Sequence, residues 1–139
     1  MRTPSSPRPL SRSVIAVFSG FAAGIVLTVV TEMLLQQFGI LPQPDEPATD
    51  RVLLLSVGYR TLYALVAGYL TASLAQYRPV AHALGCGVCG FVFCLADAIE
   101  TWSPGPTFRP HWYAVVLLIL VLPLAWLAGW LRWRQIEHN

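Results

Sequence analysis

Four long apolar stretches dominate the pattern of hydrophobic and polar positions along the chain. One of them, residues 52–77, contains a single charged residue, Arg60. The other three, residues 13–31, 80–96 and 112–131, contain no charged residue. A membrane-spanning helix needs about 20 mostly apolar residues, with a range of roughly 17 to 25. The pattern therefore predicts four membrane-spanning helices.

Breaker residues between the apolar stretches set the boundaries of the predicted spans at about 13–38, 51–77, 80–101 and 111–132. Several prolines precede the second span, and Ser-Pro-Gly-Pro at residues 103–106 separates the third span from the fourth. Short connections make successive helices antiparallel. We therefore predict an all-α transmembrane four-helix up-down bundle as a single domain, residues 13–134. A disordered cytoplasmic tail, residues 1–12, precedes it and a second tail, residues 135–139, follows it.

Composition agrees with a membrane protein. Hydrophobic residues make up 55% of the chain and charged residues 12%, whereas soluble domains carry about 25% charged residues. The net charge of +2 and the scattered arginines argue against nucleic acid as a partner. All 9 basic residues are arginine, a bias that indicates a GC-rich bacterial genome.

The arginines outside the spans predict the orientation of the bundle. Six of them fall on the side that holds both termini: Arg2, Arg8, Arg12, Arg78, Arg132 and Arg134. Only Arg51 and Arg109 fall on the opposite side, together with acidic loop residues. Basic residues concentrate on the cytoplasmic side of membrane proteins. We therefore expect a multi-pass protein of the bacterial inner (cytoplasmic) membrane, with both termini in the cytoplasm.

Ionisable residues within the spans form a candidate intramembrane polar cluster. Such residues are costly in lipid and usually face the bundle interior, where they pair. With about 1.5 Å of rise per residue, Arg60 lies ~13 Å, Glu32 ~9 Å and Asp97 ~6 Å from the outer ends of their spans. Glu100 follows Asp97 by one turn on the same face. We expect Arg60 to pair with Glu32, with Asp97 or with both.

The cluster has two interpretations. Four polar side chains are candidate hydrogen-bonding neighbours: Thr28, Ser56, Tyr63 and His111. A structural ion pair would fix the register of the helices. A functional cluster would form a proton path or bind a polar ligand.

Small residues spaced four apart recur on every span, for example Gly20 and Gly24 on the first and Gly68 and Ala72 on the second. Helices in a bilayer associate through close backbone contact, which small residues permit. We therefore expect a tightly packed bundle that can also self-associate through these faces.

Other chemical motifs do not change this picture. His82, Cys86 and Cys89 share a helix face and could in principle hold zinc or copper, but a four-coordinate site needs a further ligand. Residues 85–90 match G-x-G-x-x-G inside a span, whereas the dinucleotide motif requires a preceding strand. We recognise no catalytic motif, and we predict no metal and no cofactor.

The chain resembles small four-span bacterial inner-membrane proteins to which no function is assigned. The resemblance covers residues 59–132 and rests on Tyr59-Arg60, Gly68-Tyr69-Leu70, Arg78-Pro79, His82-Ala83, Thr101-Trp102, Trp112-Tyr113 and Pro123. It implies an inner-membrane protein and carries over no catalytic residue.

Three functional hypotheses follow. The leading one is a non-enzymatic accessory or interaction module that contacts the lipid bilayer and either a membrane-protein partner or a second copy of itself. The alternative is a proton or small-solute conduit that uses Arg60, Glu32 and Asp97. An enzyme acting on lipid has the least support, because its polar cluster would have to open sideways to the bilayer.

Overall fold

The protein is a bundle of four α-helices. The computed structural model describes residues 10–75, 77–105 and 109–138, and no strand occurs within those ranges. The helices are α1 (Leu10–Gln37), α2 (Asp50–Leu74), α3 (Pro79–Glu100) and α4 (His111–Glu137). All four are long and apolar enough to cross a membrane. The predicted all-α four-helix bundle is confirmed, and the chain is a small multi-pass membrane protein.

The first and last helices extend beyond the predicted spans, at the N-terminal end of α1 and the C-terminal end of α4. Helix α1 begins at Leu10, so residues 10–12 of the predicted disordered tail are helical, while residues 1–9 lie outside the described residues. Helix α4 continues to Glu137, so most of the predicted second tail is also helical. Arginine is a good helix former, and the positive charge of Arg134 in the last turn of α4 interacts favourably with the helix dipole. Residues that leave the hydrocarbon thus remain helical.

The connection between α2 and α3, residues 75–78, is longer than the two residues left between the predicted spans. Helix α2 ends at Leu74, three residues before the predicted boundary. Arg78 adopts a left-handed conformation, with φ of 48°, and Pro79 begins α3. Proline suits the first turn of a helix because its missing N–H would be unpaired there. The chain reverses within these few residues, and Gln76 in this connection lies outside the described residues.

The helices pack as a rhombus in cross-section. Helices α2 and α3 contact each other, and each also contacts α1 and α4, whereas α1 and α4 make no contact within the described residues. Ser13 lies 2.9 Å from the Tyr77 hydroxyl at one end of the bundle, and Glu32 meets Arg60 towards the other. Helices α1 and α2 are therefore antiparallel, as predicted. We call the end with the chain termini proximal and the opposite end distal.

Small residues hold the helices together through much of their length. A Cβ atom on Gly20 would collide with the Thr71 hydroxyl and lie 2.6 Å from the carbonyl oxygen of Ala67. A Cβ atom on Gly129 would lie 2.7 Å from Cα of Val80. Such contacts bring backbones together, as small residues do in membrane bundles. The glycine faces described here are thus occupied by helices of the same chain.

Candidate functional site in a charged cavity

An ion pair joins α1 and α2 inside the bundle. Nη2 and Nε of Arg60 donate to Oε1 of Glu32 at 2.6 and 3.1 Å. The hydroxyl of Tyr59 donates to the same oxygen at 3.0 Å and lies 3.2 Å from Oγ of Ser56. The two charged side chains are only 20% and 26% exposed. The predicted pairing of Arg60 with Glu32 is confirmed.

The packing of α1 against α2 explains this pairing. Glu32 lies two turns beyond Gly24 on one face of α1, because residues four apart share a helix face. A Cβ atom on Gly24 would lie 3.0 Å from Cβ of Ala67, so this face of α1 approaches α2 closely. Arg60 precedes Ala67 by about two turns of the antiparallel helix. The two charged residues therefore reach the same level.

A second ion pair joins α3 to the segment just before α4. Nη1 of Arg109 donates to both carboxylate oxygens of Asp97, at 3.0 and 3.2 Å. The side chains are about one-third exposed, at 35% and 31%. The backbone N–H of Arg109 donates to the carbonyl oxygen of Thr101, which holds this segment beside the end of α3.

The partner of Asp97 differs from one predicted alternative. We offered Asp97 as a possible partner of Arg60, but Arg60 hydrogen-bonds to Glu32 and Asp97 pairs with Arg109. The reason is that Arg109 leads into α4, the antiparallel neighbour of α3, and its side chain folds back along the last turns of α3. The sequence places Arg109 in a loop, and this position did not indicate that its side chain contacts Asp97.

The four predicted neighbours separate into two groups. Ser56 contacts the Tyr59 hydroxyl, and Thr28 and Tyr63 line the cavity described below. The hydroxyl of Tyr63 lies 2.7 Å from that of Thr31 rather than on the ion pair. His111 instead stacks on Trp102, with ring centroids 4.0 Å apart, at the distal surface. His111 does not line the cavity.

Glu100 also lies apart from the cluster. It is exposed at the end of α3 and is not among the residues that line the cavity. Two residues that the prediction did not include take its place: Tyr59, which completes the donors on Glu32, and Arg109. The position of Tyr59 beside Arg60 and three residues after Ser56 was a usable signal for the first.

Both ion pairs line one cavity of about 340 Å³. Its four charged residues are Glu32, Arg60, Asp97 and Arg109. Because both pairs face this one cavity, we treat them as one charged cluster. On the proximal side of this cluster the cavity wall is mostly apolar and includes Phe21, Ile25, Phe93, Leu117, Leu120 and Leu124. The cavity thus has a charged distal end and an apolar body.

The three residues weighed as metal ligands lie in separate surroundings. Nδ1 of His82 lies 3.0 Å from the carbonyl oxygen of Arg78, and its ring packs edge-on against Tyr77. Cys86 is buried and lines the cavity, whereas Cys89 does not line it. Within the described residues, no three His, Cys, Asp or Glu side chains are arranged to hold a metal ion.

Comparisons with protein-family models, with curated proteins and with solved structures found no match to this chain. The geometry of the charged cavity is therefore the basis for assigning a function.

Proposed function

We propose that the chain is a non-enzymatic accessory protein of the membrane that works by binding a polar-headed ligand in the charged cavity. The observation that carries this proposal is the lining, in which two cations and two anions lie above an apolar wall. Ligand sites in proteins are mostly apolar clefts with a few convergent polar groups. An ion pair that served only to fix helix register would have no need of a cavity beside it.

We place the protein in the bacterial cytoplasmic membrane with both termini in the cytoplasm. The support is the excess of arginine on the side of the termini. The distal end, with its charged cluster, then lies in the outer leaflet.

An interaction with a second copy through small residues has less support than the cavity. The closely packed glycines, such as Gly20 and Gly129, already meet neighbouring helices of the same chain. The outward face of α1 carries large exposed apolar side chains, among them Val14, Phe18 and Val26. That surface suits direct contact with the acyl chains of the bilayer.

The conduit hypothesis also has less support. A proton or solute path needs polar groups through both halves of the membrane, whereas the charged residues of this cavity all lie at its distal end. Towards the proximal end α3 meets α4 at Gly87, where a Cβ atom would lie 2.5 Å from that of Ala125. Reconstituted parent, Glu32→Gln and Arg60→Leu proteins should show the same proton flux. A flux that falls in both variants would favour the conduit.

An enzyme acting on lipid would need a reactive group at the cavity. No serine or histidine lines the described part of it, and its two cysteines are Cys86 and Cys94. The carboxylates in the lining, Glu32 and Asp97, are held in ion pairs with arginines, which suits binding better than general acid–base catalysis.

A cavity-filling variant tests the proposal. Ala64 lines the cavity, so Ala64→Phe should occupy it, whereas Ala96 on α3 is exposed and Ala96→Phe should leave it open. Each protein would be purified from its native membrane in mild detergent, and bound small molecules would be extracted and measured by mass spectrometry.

We expect a compound that is retained by the parent and by Ala96→Phe and depleted about tenfold or more in Ala64→Phe, which corresponds to ~1.4 kcal/mol of binding free energy. Size-exclusion chromatography and circular dichroism would establish that both variants are folded. Equal retention by the two variants, or no retained compound in the parent, would contradict the proposal.

A further inference from the structure

We infer that the occupant of the cavity is a zwitterionic membrane lipid, with a phosphate and an ammonium group in its headgroup, which enters sideways between the distal halves of α1 and α3. This inference rests on the proposed function and names its ligand. Three features of the molecule support it: a lateral gap, the balance of charge, and the apolar wall below the charges.

The gap lies between α1 and α3, which run in the same direction. Near the proximal end they approach each other, since a Cβ atom on Gly85 would lie 3.5 Å from Val17. Further along, Phe21 and Phe93 meet edge to face, with centroids 6.2 Å apart. Beyond that point α1 pairs with α2 through Glu32, while α3 pairs with α4 and its preceding segment. At this level a Cβ atom on Gly24 would lie 3.0 Å from Ala67 of α2, and one on Gly90 would lie 3.1 Å from Val121 of α4, so α1 packs most closely against α2 and α3 against α4.

The wall of the cavity is continuous with the lipid-facing surface at this gap. Val29 of α1 and Phe93 of α3 both line the cavity. They are nevertheless exposed, at 46% and 54%, whereas the other cavity-lining residues are buried or half-buried. A side chain that belongs to both surfaces marks an edge of the opening. A lipid from the distal leaflet can therefore enter without crossing the polar loops.

The charges of the cavity balance. Arg60 and Arg109 contribute two positive charges, and Glu32 and Asp97 contribute two negative charges. A ligand with a net charge would leave that charge uncompensated beside partly buried ion pairs, which is costly. A zwitterion adds no net charge, and each of its ends meets a group of opposite sign.

Hydrogen-bonding capacity remains for both ends of such a headgroup. Arg60 uses Nε and Nη2 on Glu32, and Arg109 uses Nη1 on Asp97. Within the described residues, Nη1 of Arg60 and both Nε and Nη2 of Arg109 are left to donate to phosphate oxygens. All three donors on Glu32 converge on Oε1, so Oε2 is left to accept from an ammonium group.

The apolar wall favours a lipid over a water-soluble zwitterion as the ligand. Along α1 the cavity extends from Glu32 to Phe21, about 16 Å of helix. A water-soluble zwitterion without acyl chains would fill only the charged end of the cavity and leave its apolar wall uncovered. The volume of about 340 Å³ is near the lower end of the usual range for ligand sites, ~300–1,000 Å³. It suits a headgroup and part of one chain, with the rest of the lipid in the bilayer.

The selectivity of the purified full-length chain for defined lipids tests the inference. The chain in detergent would be offered equal amounts of phosphatidylethanolamine, phosphatidylglycerol and diacylglycerol with the same acyl chains, and bound lipid would be counted by native mass spectrometry. We expect phosphatidylethanolamine to exceed each of the others about tenfold, or ~1.4 kcal/mol. Ala64→Phe should abolish this binding, and Ala96→Phe should preserve it.

Several outcomes would overturn the inference while leaving the proposed function intact. A preference for phosphatidylglycerol would indicate an anion site. Displacement of the lipid by free phosphoethanolamine would indicate a soluble ligand. Equal binding of diacylglycerol would instead indicate an apolar groove without headgroup recognition and would contradict the proposed function as well. The proposed function also fails if the protein from native membranes retains no compound that depends on Ala64.

A change in the charge of the cavity should change the preferred lipid. Asp97→Asn leaves the cavity with one uncompensated positive charge, so binding should shift about tenfold towards phosphatidylglycerol relative to phosphatidylethanolamine. Glu100→Gln is the matched control, because it removes the same charge from the same helix outside the cavity. An unchanged ratio in Asp97→Asn, or an equal shift in both variants, would contradict recognition by charge balance.

Discussion

The two ends of the bundle are assembled by different physical means. At the proximal end, helices meet through glycine and alanine with no side chain between them, as where Gly129 lies against Val80. At the distal end, ion pairs join α1 to α2 and α3 to the segment before α4, beside a core of larger buried side chains, Leu53, Tyr113 and Leu117. A bilayer provides no hydrophobic force between helices. Charged residues within the spans must therefore pair across helices, and a cavity lies between the two pairs.

The largest effect on stability is expected at the distal end, from the loss of Arg60. Breaking a buried ion pair costs roughly 3–5 kcal/mol, because an unpaired charge remains. Glu32 keeps 26% exposure, so we expect Arg60→Leu to lower the free energy of unfolding by about 3 kcal/mol, near the lower limit. Unfolding in mixed micelles with increasing dodecyl sulfate would measure it.

A double variant separates the unpaired charge from other effects of that substitution. Glu32→Gln combined with Arg60→Leu removes both charges and should recover most of the lost stability. If the double variant is as unstable as Arg60→Leu alone, the cost does not come from the stranded carboxylate of Glu32.

The next effect is expected where the backbones are closest. In Gly20→Ala the new methyl group would collide with Thr71 and with the carbonyl oxygen of Ala67. Overpacking of this kind costs about 1–3 kcal/mol of unfolding free energy. Gly58→Ala is the matched control, since nothing lies within 4 Å of its Cβ position. It should leave stability unchanged or raise it by up to ~1 kcal/mol through helix propensity. Equal effects in the two variants would contradict close packing at Gly20.

The smallest effect is expected from the more exposed ion pair. Arg109 and Asp97 are about one-third exposed, and ion pairs that water reaches contribute about 0–1 kcal/mol. Arg109→Met should therefore lower the free energy of unfolding by less than about 1 kcal/mol in the same micelle assay. A loss of unfolding free energy as large as that of Arg60→Leu would mean that both ion pairs are equally shielded from water.

Part of the candidate site could be predicted from the sequence because helix geometry is regular. A fixed rise per residue places Glu32 and Arg60 at similar depths in adjacent antiparallel helices, and isolated charges in a span seek partners. That reasoning could not choose a partner for Asp97. The choice depended on the path of the segment before α4, where Arg109 turns back towards α3.

The sequence by itself determined the four helices and the need of Arg60 for a carboxylate partner, with Glu32 and Asp97 as the candidates, because span length and helical periodicity are local properties of the chain. Only the tertiary structure decided that the glycine faces are occupied within the chain, that Tyr59 joins the cluster, and that a cavity opens beside both ion pairs. These features depend on the distances between helices. Such distances arise from the packing of all four helices together, which no single segment specifies.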